Sequence, residues 1–163
     1  MHNNWPNNVR SDPTTVWQPM LACRGLKRIT LYFFYSQHSI NTDMADEDFE
    51  ALCEALPLLE GFNISSRIYN GEKTDMTPKA TLRAIRSFAQ HCPALERLAI
   101  SVNASFPFPI LAIDNTHQNS RLAKLKAFHF AHSGLVREKI PDAVKFMRTV
   151  LPLESNGAYL SLI

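Results

Sequence analysis

The chain has 163 residues, 45% of them apolar, enough for one continuous core and too few for two large independent domains. Its 17 basic and 15 acidic residues leave a formal net charge of +2, far short of the basic excess of a dedicated nucleic-acid binder. No run of about 18 apolar residues occurs, so a membrane span is not expected either.

Residues 1–19 read as a polar, flexible N-terminal segment. Met1 to Arg10 is rich in Asn and offers no apolar h-region of a secretion signal, so the expected location is cytoplasmic or nuclear. From there one phrase returns four times: LACRGLKRITL (21–31), LPLLEGFNI (56–64), CPALERLAI (92–100) and RLAKLKAFHF (121–130). Each copy carries an apolar triplet: Leu26, Ile29, Leu31; Leu59, Phe62, Ile64; Leu95, Leu98, Ile100; Leu125, Phe128, Phe130. The first members lie 33, 36 and 30 residues apart, a spacing typical of stacked repeats.

The last two members of each triplet are two apart, the period of a strand. Ile29 and Leu31 therefore share one face, while Arg28, Thr30 and Tyr32 share the other. Between the strands the spacing turns helical: Phe49, Leu52, Cys53 and Leu56 line one face; Leu82, Ile85, Phe88, Ala89 and Cys92 the next; Ile140, Val144, Met147 and Leu151 the third. Asp46 suits the cap of the first helix, with acidic residues where the positive end of the dipole favours them. Thr77 with Pro78 suits the start of the second, and Pro141 the first turn of the third. Pro57, Pro93 and Pro152 stop the helices. A fifth copy begins at Val150 to Glu154, but Ser155-Asn156-Gly157 interrupts it, so residues 155–163 read as a tail, a truncated repeat.

Strand, loop and helix in repeated order imply parallel strands side by side with helices outside. The expected fold is α/β, a short curved solenoid of about four repeats over residues 20–154, with strands on the concave side and helices on the convex side. A doubly wound sheet is the competing arrangement. It expects longer all-apolar strands covered on both faces, whereas Thr30, Asn63 and His129 are polar. Two longer polar connections, Ser36 to Ala45 and Phe106 to Ser120, read as surface loops.

The phrase Cys92-Pro93-Ala94-Leu95-Glu96-Arg97-Leu98-Ala99-Ile100, the parallel Leu56-Pro57-Leu58-Leu59-Glu60 and the helix leader Met44-Ala45-Asp46-Glu47-Asp48-Phe49-Glu50-Ala51-Leu52 resemble the leucine-rich-repeat region of fungal F-box-like proteins. The resemblance spans about residues 20–154. It implies a concave parallel sheet that selects a protein for ubiquitination. The helical F-box that recruits the ligase through the Skp adaptor is not expected here, because Met1 to Gln18 is short and polar. A Skp partner is thus expected only for a longer form that carries an F-box.

Signals for chemistry are weak. The five glycines are spread singly, so there is no phosphate loop, and no cofactor is expected. His129 and His132 with His117 upstream lack convergent metal-ligand spacing. The run Asp43, Asp46, Glu47, Asp48, Glu50 lacks the central glycine of a calcium loop and fits a helix start. No metal site is expected. Three cysteines, Cys23, Cys53 and Cys92, suit buried thiols in a reducing compartment rather than a disulfide framework. The sequons at Asn63 and Asn103 read as chance matches. Between 121 and 148 seven basic residues face two acidic ones, but without interleaved aromatics Lys145 and Arg148 read as a solvated helix face.

The expected binding surface is the outward-facing side of the strands, in rows about 4.8 Å apart from strand to strand. One row is Arg28, Gly61, Arg97, Ala127; the next Thr30, Asn63, Ala99, His129; the last Tyr32, Ser65, Ser101, Ala131. Arg28, Thr30, Tyr32, Asn63, Arg97 and His129 are the candidate contacts, with Arg28, Arg97 and Tyr32 as anchors because such residues dominate interfaces. The expected role is a protein-protein interaction module, the recognition region of a ubiquitin-ligase receptor, with no catalytic activity and no nucleic-acid or membrane partner. A stand-alone or degenerate repeat protein and a small doubly wound enzyme are the alternatives.

Overall fold

The computed structural model describes residues 13–35, 44–68, 78–104, 122–130, 138, 140–151 and 159–162. In chain order the elements are α1 (Pro13–Leu21), β1 (Arg28–Tyr35), α2 (Asp46–Ala55), β2 (Gly61–Ile68), α3 (Leu82–His91), β3 (Arg97–Ile100), β4 (Ala127–Phe130), α4 (Ile140–Val150) and β5 (Tyr159–Leu162). The protein is α/β. Among the described residues five strands, all parallel, lie in sequence order, β1-β2-β3-β4-β5, with no reversal of that order across the sheet. A doubly wound sheet would show such a reversal.

The strands register as their apolar parity requires. Ile29 lies beside Phe62, Phe62 beside Leu98, Leu98 beside Phe128 and Phe128 beside Leu160. Ile29, Phe62, Ile64, Leu98, Ile100 and Phe128 are all buried, as are Leu59, Leu95 and Leu125. These first triplet members close a tight turn before each strand. Leu26, Leu59, Leu95 and Leu125 each donate a backbone N–H to the carbonyl three residues earlier, on Cys23, Leu56, Cys92 and Leu122, at 2.9–3.1 Å. The turn is followed by a lateral step: Glu60 N–H donates to Lys27 O, Glu96 to Glu60 O and Lys126 to Glu96 O, at 2.7, 2.7 and 2.8 Å. The same turn, made four times, is what stacks the strands.

The helices pack one beside the next on the buried side of the sheet, and they contribute to a single core. Its centre is aromatic. Phe62 has its ring centroid 5.0 Å from Phe88, 6.1 Å from Phe49 and 6.4 Å from Trp17. Trp17 comes from α1, inside the 1–19 segment expected to be polar and flexible. Residues 13–19 are helical, Pro13 occupies the first helical position where its missing N–H costs nothing, and Trp17 is buried. Residues 1–12 lie outside the described residues. At the other end β5 pairs with β4 inside the expected tail, with Leu160 beside Phe128, so a fifth strand follows the Ser155-Asn156-Gly157 interruption.

Three local expectations are corrected. Asp46 does not cap its own helix: the N-cap is Ala45, whose N–H donates to the Asp48 carboxylate at 2.8 Å. The Asp46 carboxylate reaches instead to the start of α3, where it accepts from Thr81 N–H and from Thr81 Oγ1, both at 2.7 Å. Second, α3 is capped by Thr81 rather than begun at Thr77-Pro78; Thr81 Oγ1 accepts from Arg83 N–H at 3.2 Å, which supplies the acceptor a helix start needs. Third, the buried stripe of α4 is Ala143, Phe146, Met147 and Val150, while Ile140 and Val144 are exposed. Both stripes have helical spacing, and the larger Phe146 turns the helix toward the core. No helix among the described residues is long and apolar enough to cross a membrane.

Candidate interaction face

Side chains alternate across a strand, so fixing the buried parity fixes the other face as well. Arg28, Gly61, Arg97, Ala127 and Tyr159 are in register across all five strands, and Thr30, Asn63, Ala99, His129 and Ser161 form the next row. Tyr32 pairs with Ser65 in a third row that is two strands wide. The Tyr32 side chain lies outside the described residues. Ser101 does not extend that row: β3 ends at Ile100, and Ser101 is buried. Ala131 also lies outside the described residues.

Arg28, Thr30 and Arg97 are exposed, and Asn63 and His129 are half-buried. No described helix covers them. Arg28 and Arg97 sit two strands apart, roughly 9–10 Å along the sheet. Between them Gly61 leaves a gap: a Cβ there would stand 3.5 Å from Arg28 Cγ, an ordinary contact, so the backbone tolerates a side chain that the sequence omits. The Arg28 stem therefore lies against the Gly61 backbone, with Arg97 at the same register position on the next strand.

Below this row runs a charged ladder that the sequence reading did not single out. Lys27 Nζ lies 2.9 Å from Glu60 Oε1, Lys126 Nζ 2.8 Å from Glu96 Oε1, and Arg28 a looser 3.8 Å from Glu60. The four ladder residues occupy the same turn position in successive copies of the phrase, the signal by which an aligned repeat reveals them. The hydrogen bond from Lys27 holds the Glu60 carboxyl below its ordinary range, helped by the Lys27 and Arg28 charges. Lys126 does the same for Glu96, helped by Arg28 and Arg97. With four cations, Lys27, Arg28, Arg97 and Lys126, to two carboxylates, Glu60 and Glu96, the edge of the face is net positive. A guanidinium offers a planar pair of donors that matches a carboxylate.

Cys23 is exposed, contrary to the expectation that all three cysteines are buried, because the turn at the end of α1 faces outward. Cys53 and Cys92 are buried between α2 and α3, where the Cys92 thiol lies 3.7 Å from Leu56 O and 3.9 Å from Cys53 O. Burial pushes the Cys53 thiol far up, reinforced by Cys92 and by the charges of Glu50 and Glu54, so it is held protonated and non-nucleophilic. Lys145 and Arg148 are exposed on α4, away from its buried stripe. No family model, curated protein or solved structure matches the chain.

Proposed function

We propose that the chain is a leucine-rich-repeat solenoid that binds an acidic segment of another protein on the uncovered face of its sheet. The observation that carries this reading is Arg28 and Arg97 in register on either side of Gly61, on a face that no described helix covers. The repeat assignment rests on the stretch Leu95-x-x-Leu98-x-Ile100-x-x-Asn103, which follows the leucine-rich pattern through its terminal Asn, and on strands laid down in chain order. Asn103 is buried, and its N–H donates to Ala80 O at 2.7 Å, tying the end of one strand segment to the start of the helix before it. No nucleic acid, membrane or cofactor enters this reading, and no catalytic step is assigned.

In this reading the module supplies recognition in an F-box-like ubiquitin-ligase receptor. The Skp adaptor joins only through a longer form with a helical F-box, which the 5′ end of the native transcript and the intact mass of the endogenous protein will reveal. The test of the face is affinity capture with the whole chain and with Arg28 or Arg97 changed to Glu, against Lys145→Glu on α4 as control. Loss of the captured protein with both arginine variants, at unchanged thermal stability, supports the reading. Retention in both moves the site off this face.

A further inference from the structure

On the opposite side of the molecule, α2 and α3 bring three ligand-bearing side chains together. Glu50 and Glu54 are four residues apart on α2, one turn of helix, and so lie on the same face. His91 is the last residue of α3. The helix ends are held against each other by the buried thiol contacts beneath them: Cys92, next to His91, points its sulfur at the carbonyl of Cys53, next to Glu54, at 3.9 Å. Phe49 and Phe88, with centroids 5.9 Å apart, fix the same pair of helices one turn further in.

One ligand atom from each of Glu50, Glu54 and His91 lies within 4.8 Å of the other two. An ion with bonds of about 2.1 Å in tetrahedral geometry needs its ligand atoms roughly 3.4 Å apart. The two glutamates are exposed and His91 half-buried, so small torsions of their side chains close the remaining distance without moving a helix. Among the described residues no cation is paired with either carboxylate. Two like charges one turn apart oppose each other, and a dication answers that repulsion directly.

We infer that Glu50, Glu54 and His91 form a site for a divalent transition-metal ion, zinc above all, with water completing the shell, and that the bound ion clamps α2 to α3. One imidazole nitrogen and two carboxylates make a borderline donor set. Calcium, which prefers six to eight oxygen ligands, and magnesium, which keeps its octahedral water, fit it poorly. Two carboxylates and a neutral imidazole also balance the charge of the ion. The site has no local signature in the sequence: Glu54 and His91 are 37 residues apart and converge with Glu50 only through helix packing.

The test is calorimetric titration of the full chain, carrying Cys23→Ser to remove the exposed thiol, with zinc chloride, alongside cobalt absorption spectra. The expected result is one saturable site per chain, a cobalt spectrum without thiolate charge-transfer bands, and a melting temperature raised by zinc as binding to the folded state requires. His91→Ala and Glu54→Gln should each weaken binding by at least about tenfold, since loss of an outer-shell partner alone costs roughly that much. Asp142→Asn, an exposed carboxylate on α4, should leave it unchanged. Absence of saturable binding, equal binding of calcium, or an unaltered affinity in His91→Ala at unchanged apo-protein melting each overturns the inference.

Discussion

The Asp46 to Thr81 contact is the sharpest test of how adjacent strand-helix units hold together. It joins the first residue of α2 to the cap of α3 by two hydrogen bonds of 2.7 Å to one carboxylate, in a partly buried setting. Hydrogen bonds to a charged group contribute about 1.5–3 kcal/mol each, and a lost N-cap costs about 0.5–2 kcal/mol. Asp46→Ala strands both Thr81 donors; because the site is only partly buried and water can reach them, the cost should fall below the sum of two such bonds, at about 2–3 kcal/mol. Thr81→Ala keeps the backbone donor but loses the hydroxyl, which serves both Asp46 and Arg83 N–H, and should cost about 1.5–2.5 kcal/mol on the same figures. Because the hydroxyl bond is counted in both single variants, the double variant should fall short of the sum by about 1 kcal/mol or more. Urea unfolding of the four proteins, followed by circular dichroism, measures each term. If the energies add to within about 0.5 kcal/mol, the two residues act separately, Asp46 is merely complementing the dipole of its own helix, and the proposed tie between units is wrong.

Two further outcomes follow from burial and from charge. Val144→Ala on α4 should change stability by less than about 0.5 kcal/mol, whereas Met147→Ala should cost about 2–5 kcal/mol; similar costs would mean that the helix faces the core through Ile140 and Val144 instead. The Glu60 carboxyl is lowered first by its hydrogen bond from Lys27. A group depressed in the folded state contributes stability that is present above its unfolded value, about 4.3, and lost as pH falls through the folded one. Lys27→Met should therefore raise the Glu60 midpoint in a carbon-13 NMR titration and flatten the loss of stability on the acid side. A midpoint that does not move assigns the lowering to Arg28.

Burial was legible in the sequence because it has a period. Phe49, Leu52 and Cys53 on α2 with Leu56 at its C-cap, and Leu82, Ile85, Phe88, Ala89 and Cys92 at α3, are all in the core, and so are Ile29, Phe62, Ile64, Leu98, Ile100 and Phe128 of the strand triplets. The α4 stripe was misplaced because its apolar residues satisfy helical spacing on two overlapping faces, and only packing chooses between them. Trp17 was missed for a related reason: a single aromatic in a polar stretch has no period, yet it finishes the aromatic cluster around Phe62. Its indole nitrogen is a buried donor with no acceptor among the described residues. Contacts between successive units, such as Asp46 with Thr81 at a separation of 35, have no local signature at all.

The two faces of the sheet differ in what they determine, and that difference decides how the interaction face must be probed. A slip of one residue would carry every buried side chain to the open side, so Ile29, Phe62, Leu98 and Phe128 fix the register. The ladder from Lys27 to Lys126 is exposed and contributes little to stability. Outward residues are thus free to change with little effect on the fold, but Arg28 lies 3.8 Å from Glu60. Arg28→Glu removes a cation and also sets a new carboxylate beside Glu60, whereas Arg28→Gln removes the cation alone. Loss of capture in both assigns the contact to the guanidinium itself. Loss in Arg28→Glu with retention in Arg28→Gln shows that the partner responds to the sign of the face, and the carboxylate-fork contact at Arg28 is then refuted.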